Sequence, residues 1–291
     1  MKIGVIGAGA WGTALANLLA NEGFDVALWA FEREVCEDIL EERQNKVFLP
    51  GIPLSPNIRP SNDLDKVAAK KDMLLLVVPS HVFRSVAVQM VHHPTEETLI
   101  VSATKGIENK TYLTASGILK QLLPPRLQSR IAVLSGPSFA KEVAKRIPTA
   151  VTVAAFDPEV ARAVQNIFAT QYFRVYTSYD VYGAELGGAL KNVIAIAAGI
   201  SDGLGLGYNT RAALITRGAT EIQRLGIRLG ANPRTFMGLA GIGDLVLTCT
   251  GKLSRNWTVG YKIGQGMKLE AILSDMRMVA EGVKTTKSVY N

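Results

Sequence analysis

Lys191 stands in a run, Ala184 to Ile200, whose only polar side chains are Glu185, Lys191 and Asn192. A helix that is apolar nearly all round is a buried helix, and an ammonium buried in it is costly. Burial and neighbouring positive charge both favour the neutral amine, and together they draw a lysine from about 10.4 toward 7–8, where it works as an acid or a base. At 3.6 residues per turn its neighbours are Gly187 and Gly188 on one side and Ala195 and Ala198 on the other. Each glycine sacrifices about 1 kcal/mol relative to alanine inside a helix, so the pair predicts open space beside the amine, filled by a ligand or a cofactor ring. A structural lysine that snorkels to the surface is the plainer alternative.

Three other segments supply what an anionic substrate needs. Leu239 to Asp244 is a glycine-punctuated bend leading into an apolar turn, and it puts Asp244 and Thr248 on one helical face, where they can bind hydroxyls. Ser254-Arg255-Asn256 reads as a capping serine that opens a helix. Arg255 and Asn256 would then add side-chain donors to the free N–H groups in holding a phosphate, although a capped surface helix reads the same way. Gly136-Pro137-Ser138-Phe139-Ala140 joins a strand to a helix with exposed amides, and Lys105 supplies another cation at a strand tip. Lys105 and Asn192 are expected to polarise an oxygen that develops negative charge.

The N-terminus carries a second kind of chemistry. Residues 2 to 12 run as an apolar strand into Gly7, Gly9, Ala10, Trp11 and Gly12, then into a helical stretch. Gly7 suits the tight turn, Gly9 lets backbone touch a pyrophosphate, and Gly12 allows close helix–strand packing. A second strand, Phe24 to Ala30, follows at βαβ spacing and ends in Phe31, Glu32 and Arg33, where an adenosine ribose would lie. Glu32 suits a ribose 2′-hydroxyl and Arg33 a 2′-phosphate, so NAD and NADP are both expected, with a modest preference for NADPH.

These residues need a particular scaffold. Before residue 180, apolar strand candidates at Lys2–Ile6, Phe24–Ala30, Met73–Pro79, Thr98–Thr104, Ile131–Ser135, Ala150–Ala155 and Phe173–Thr177 alternate with helices. That pattern predicts an α/β, doubly wound, mainly parallel sheet of Rossmann type over residues 1–180, with ligands beyond the carboxyl ends of its strands. After it, Gly183–Ile200, Thr210–Leu225, Pro233–Met237 and Trp257–Ile263 predict an all-α domain over residues 181–291.

Composition excludes little more. A chain of 291 residues with 48% hydrophobic and 20% charged residues has ample material for a core. The first strand begins at Lys2 and no apolar run approaches the ~18 residues of a membrane span, so no signal peptide or integral membrane segment is expected, and a cytoplasmic location is. Its charge of +7 is dispersed without a nucleic-acid recognition module. Cys36 and Cys249 read as reduced thiols, and His92-His93, before Pro94, reads as a loop and not as a metal site.

Taken together, Gly-Ala-Gly-Ala-Trp-Gly, Val78-Pro79-Ser80-His81, Ala103-Thr104-Lys105-Gly106, Ser135 to Ala140, Lys191-Asn192, Gly243-Asp244-Leu245 and Ser254-Arg255-Asn256 resemble the bacterial NAD(P)-dependent glycerol-3-phosphate dehydrogenases across the whole chain. The resemblance implies reversible hydride transfer at carbon 2 of sn-glycerol 3-phosphate, with dihydroxyacetone phosphate as the ketone and phospholipid synthesis as the outlet. It implies a C-terminal domain like that of 6-phosphogluconate dehydrogenase, further helices after Asn291, and a homodimer. It makes Lys191 the proton acceptor and Lys105, Gly136, Ser138, Asp244, Ser254, Arg255 and Asn256 substrate contacts. Trp11, Phe31, Lys105, Ala140, Arg255, Val279 and Glu281 then match positions that meet the cofactor. Two alternatives carry their own discriminator. Substrate profiling separates an enzyme of the 6-phosphogluconate dehydrogenase type, and a missing catalytic lysine would mark a nicotinamide-sensing module without turnover.

Overall fold

Side chains alternate across the first strand. In β1 (Lys2–Ile6), Ile3 and Val5 join one apolar cluster and Ile6 another, on opposite faces of the sheet. A strand buried on both faces needs helices on both. The computed structural model describes residues 1–276 and 279–290, so Asn291, the last residue of the expected helical domain, lies outside the described residues.

The other strands are β2 (Asp25–Trp29), β3 (Ile58–Ser61), β4 (Met73–Leu76), β5 (Leu99–Ser102), β6 (Ile131–Ser135), β7 (Thr149–Ala155) and β8 (Phe173–Ser178). They form one sheet in the order β3-β2-β1-β4-β5-β6-β7-β8. Neighbours are parallel throughout except β6 and β7, which run antiparallel. Strand order reverses between β1 and β4, and the crevice beyond their carboxyl ends is the place where such a sheet collects ligands. The β3 strand was not among the expected ones. Its Pro60, paired with Leu28, breaks the apolar pattern, and an edge strand tolerates a residue that cannot donate to the ladder.

Beyond β8 the described chain is helical. The helix Val181–Gly203 is its axis, capped by Asp180, whose carboxylate accepts from the Gly183 amide at 2.9 Å. By length and apolar composition alone this helix could cross a membrane, yet most of it is buried inside the protein. Gly207–Arg228, Asp244–Thr250 and Arg255–Gly264 pack on it. A Cβ at Gly199 would lie 2.1 Å from the Trp257 carbonyl and one at Gly260 would lie 2.0 Å from the Ile196 carbonyl, so glycine on both helices lets their backbones touch. Two later helices, Leu269–Ser274 and Glu281–Tyr290, were not among the expected ones. The second of them docks through Gly282 against the Asn192 carbonyl. Cys36 and Cys249 are both buried, free thiols.

Glu185 joins the long helix to the sheet. Its buried carboxylate accepts from the Ser116 amide at 2.8 Å, the Thr114 hydroxyl at 2.7 Å and the Ser116 hydroxyl, at the start of the helix Ala115–Leu122. Burial pushes its carboxyl above the usual carboxylate range, against those hydrogen bonds. The folded state therefore holds the proton more tightly than the unfolded one. This contribution to stability is fully present below the unfolded-state pKa and is lost as pH rises through the raised folded value. Glu185→Ala is expected to cost about 1–3 kcal/mol by leaving an amide and two hydroxyls unpartnered. Glu185→Gln can accept from the Ser116 amide and donate to the hydroxyls without a buried charge, so it is expected to unfold close to the parent and to flatten the pH slope. Urea unfolding of both variants across neutral and acidic pH checks this, and equal losses in the two would remove the hydrogen-bond account.

Candidate active site

Two ammonium groups share one carboxylate at the centre of the crevice. Asp244 opens the helix Asp244–Thr250 directly after the turn Leu239–Gly243 and is 1% exposed. Its Oδ1 accepts from Lys191 Nζ and its Oδ2 from Lys105 Nζ at 2.7 Å. Lys191 also donates to Thr248 Oγ1 at 2.9 Å, which in turn donates to the Asp244 carbonyl at 2.6 Å. Lys105, at the end of the β5 segment, donates to the Gly136 carbonyl at 3.1 Å. Gly136 has φ +146°, a backbone conformation that glycine reaches without strain. Burial lowers Lys191 to about 7, helped by the charge of Lys105 and resisted by Asp244. Cys249, one turn on from Leu245 in the same apolar wall, is pushed up to about 12 by burial, which keeps its thiol protonated and unreactive.

The space beside Lys191 is occupied differently from the expectation. A Cβ at Gly187 would lie 2.3 Å from the Ala240 carbonyl, and one at Gly188 would lie 2.8 Å from Ser135 Oγ. These glycines admit the turn that carries Asp244 and the end of β6, and not a ligand ring. The Asn192 side chain is held within the helical half. Its Nδ2 donates to the Gly188 carbonyl at 3.4 Å and its Oδ1 accepts from Asn256 at 2.8 Å, while Asn256 Oδ1 holds the Gly282 amide at 2.9 Å. Through Asn256, Asn192 links its own helix to the helices Arg255–Gly264 and Glu281–Tyr290.

Around this centre the remaining residues spread outward. Ser254 caps the helix Arg255–Gly264 by accepting from the Trp257 amide at 3.2 Å, which leaves Arg255 open to the crevice and Asn256 buried. Ser138 Oγ donates to the Gly136 carbonyl at 3.0 Å, and Ala140 opens the short helix that follows. Val279 is half-buried just before Glu281, whose Oε1 accepts from the Ser80 amide at 3.0 Å while Oε2 takes its hydroxyl. That Glu281–Ser80 bond spans 201 positions and had no signal in the sequence. Ser135 Oγ is buried beside Gly188 with no hydrogen-bond partner among the described residues.

The glycine turn has the features of an anion cradle. Gly7 has φ +117°, and a Cβ there would lie 2.7 Å from the Val77 carbonyl. A Cβ at Gly12 would lie 1.9 Å from the Gly7 carbonyl. Both glycines are therefore demanded by the fold. Gly9 is not, because it has φ −64° and nothing lies within 4 Å of its Cβ position. No side chain caps the helix Ala10–Asn21 and no acidic residue sits in its first turn. Its first N–H groups thus present a positive end to the crevice. Asn45 steadies the turn from below, donating to the Ala8 carbonyl at 2.7 Å and to Thr13 Oγ1 at 2.8 Å. The ring N–H of Trp11 is buried without a partner among the described residues. Phe31, 77% exposed, and Arg33 stand at the end of β2 on the far rim. The residues present fit a dinucleotide.

The comparisons with known proteins agree. The sequence pattern of the NAD-dependent glycerol-3-phosphate dehydrogenase N-terminus matches residues 2–161 and that of its C-terminus residues 180–291. A glycerol-3-phosphate dehydrogenase [NAD(P)+] from Syntrophobacter fumaroxidans is 59% identical over 288 residues, covering 99% of this chain and 85% of that protein. One from Geobacter sulfurreducens is 59% identical over 289 residues, covering 99% and 86%. The crystal structure of the Coxiella burnetii glycerol-3-phosphate dehydrogenase superposes with a TM-score of 0.94 at 39% identity, covering 99% of this chain and 88% of that one.

The open space at Gly9 makes a sharp expectation. Gly9→Val fills the cradle while its extended backbone suits a β-branched residue, so the melting temperature should stay near the parent's and NADH affinity should fall at least tenfold. Fluorescence titration with NADH alongside thermal unfolding reads both. Parent-like affinity in the valine variant would place the pyrophosphate elsewhere.

Proposed function

The chain belongs to the NAD-dependent glycerol-3-phosphate dehydrogenase family, and from that premise we propose how its own residues divide the work. It is an NAD(P)-dependent oxidoreductase interconverting sn-glycerol 3-phosphate and dihydroxyacetone phosphate. A bound nicotinamide supplies or receives the hydride at carbon 2. Lys191 takes the hydroxyl proton in oxidation and returns it to the ketone oxygen in reduction. The observation that carries this role is a buried amine, brought to about 7 and aimed by Asp244 and Thr248. A group that titrates near the working pH is present in both protonation states, as reversible acid–base catalysis requires.

Lys105 shares Asp244 and keeps that carboxylate from belonging to Lys191 alone. Arg255, with the amides at the start of its helix and the Gly136–Ser138 segment, would grip the substrate phosphate remote from the reacting carbon, turning binding energy into orientation. Ser254 and Asn256 hold that arginine's helix in place. On the cofactor side, Glu32 caps nothing at the end of β2. Arg33 is 87% exposed and paired only with Glu37, a surface ion pair worth little, so it can turn to a 2′-phosphate at small cost. Dual cofactor use with a modest preference for NADPH follows from that. Supply of glycerol 3-phosphate to phospholipid synthesis, a cytoplasmic location and a homodimeric state complete the reading and rest on resemblance to the family.

Absorbance assays with dihydroxyacetone phosphate and NADH or NADPH test these roles. Lys191→Ala is expected to lower kcat by about 10²–10⁴ with cofactor affinity changed only a few-fold. Asp244→Asn removes the charge that holds the Lys191 ammonium, so the inflection that the amine gives to the pH–rate profile should move to lower pH. Near-parent turnover in a folded Lys191→Ala variant would make the lysine structural.

The two arginines are expected to read different phosphates. Arg255→Ala should cost roughly 2–5 kcal/mol in kcat/KM for dihydroxyacetone phosphate and much less for unphosphorylated dihydroxyacetone. Arg33→Ala should raise the KM for NADPH about tenfold, one charge-assisted contact of ~1.5 kcal/mol, and leave that for NADH nearly unchanged. Equal losses on the paired substrates, or on the paired cofactors, would remove the corresponding arginine from its role.

A further inference from the structure

At the amino end of β5, opposite the crevice beyond the carboxyl ends of the strands, the helix Ser80–Met90 ends and the chain turns back into the sheet. The turn carries His92 and His93, and the fold brings to them a carboxylate that lies 28 positions from His93, Asp65 of the short helix Leu64–Ala68. His93 Nε2 lies 2.8 Å from Asp65 Oδ1 and His92 Nε2 lies 3.7 Å from the same oxygen. The imidazole rings lie 3.9 Å apart, tilted by 41°, and a ligand atom from each of the three residues lies within 4.8 Å of the other two.

One proton satisfies one of these imidazoles and leaves the other at 3.7 Å without a hydrogen bond. Protonating both would set two cations face to face against a single carboxylate. A metal ion resolves the arrangement differently. Nitrogen and oxygen ligands bound at about 2.0–2.1 Å in a tetrahedron lie roughly 3.3 Å from one another. The separations here, 2.8 Å and 3.7 Å, bracket that value, so small side-chain rotations would complete the geometry. His93 is the fixed point, its imidazole mostly buried and its amide bonded to the Met90 carbonyl at 3.0 Å, while Asp65 and His92 lie open to solvent. Two imidazoles and one carboxylate are a donor set for late first-row divalent ions and not for magnesium or calcium, which take oxygen.

We propose that Asp65, His92 and His93 bind one divalent transition-metal ion, of which Zn²⁺ is the representative, with water completing its coordination. The ion would tie the helix Leu64–Ala68 to the turn that enters β5. The site stands apart from the residues of the crevice and adds no step to the reaction.

The test uses tag-free protein, because the chain has only three histidines, His81, His92 and His93. Zn²⁺ titration against a chromophoric chelator is expected to show one ion per chain, with affinity falling at least tenfold in Asp65→Asn and in His93→Ala and unchanged in His81→Ala. Saturating Zn²⁺ should raise the melting temperature of the parent and not of the two site variants, and Mg²⁺ should raise neither. Dehydrogenase turnover without added metal should be the same in parent and site variants, which shows that the variants are folded. Zn²⁺ bound equally by all three variants, lost with His81, matched by Mg²⁺, or not bound by the parent would each overturn the assignment.

Discussion

Asp244 answers two ammonium groups with one carboxylate, in a place almost sealed from water, and much of the molecule is arranged around that imbalance. A buried charge is tolerated only when it is paired and hydrogen-bonded. With both amines protonated the cluster carries one positive charge too many. It can shed a proton, which is the direction in which burial and Lys105 push Lys191, or it can accept an anion from the crevice. A phosphorylated substrate whose oxygen becomes more negative during the reaction meets both needs. The charge state that the fold tolerates poorly alone is the one that such a substrate completes, which places electrostatic complementarity at the reacting end of the ligand.

That arrangement depends on backbones brought unusually close. Gly187 admits the Ala240 carbonyl and thereby the turn that aims Asp244 at Lys191. Farther along the same helix, Gly199 and Gly260 let the helix Arg255–Gly264 lie against it, which seats Asn256 on Asn192 and carries Arg255 to the rim. Asn256 then holds Gly282, at the start of the helix whose Glu281 reaches Ser80 across the crevice. At the other end, Glu185 binds Ser116 and Thr114. The long helix is thus a shared wall, tied on both sides of the reacting amine to helices that flank the sheet. A small shift of that wall would move the proton-transferring group relative to everything it serves, the kind of misplacement to which catalysis is most sensitive.

The elements whose signals are local were legible in the sequence. The glycine turn after β1, seven of the eight strands and the apolar helix around Lys191 each announce themselves within about twenty residues, through strand periodicity, turn chemistry or a polar residue out of place. What stayed hidden is pairing at long range. Nothing near Glu281 names Ser80, nothing near Asn45 names Ala8, and nothing near His93 names Asp65. The glycines beside Lys191 were informative about close approach and uninformative about what approaches, since a carbonyl and a cofactor ring exclude a Cβ alike. Asn192 shows the same limit. An amide beside a buried lysine can face a substrate or brace a neighbour, and its bond to Asn256, 64 positions away, had no local signal.

The helices Ala10–Asn21 and Ser80–Met90 start beside the strands β1 and β4, and the opposite treatment of their N-termini bears on where a dinucleotide can go. The start of the helix Ser80–Met90 is already taken by the Glu281 carboxylate, which accepts from the Ser80 amide and hydroxyl. Burial raises the carboxyl of Glu281 while these bonds resist, so the pair is a compromise between desolvation and the favourable end of a helix. The helix Ala10–Asn21 has no such resident, with no capping side chain and no acidic residue in its first turn. An incoming pyrophosphate therefore finds one free positive end and one already neutralised. The last described helix can cross toward β4 through Glu281 without competing for that free end, because the anion it brings is spent on a different helix. The same carboxylate lies close enough to Arg255 for each to feel the other's charge. This couples the phosphate-reading rim to the wall of the cofactor crevice.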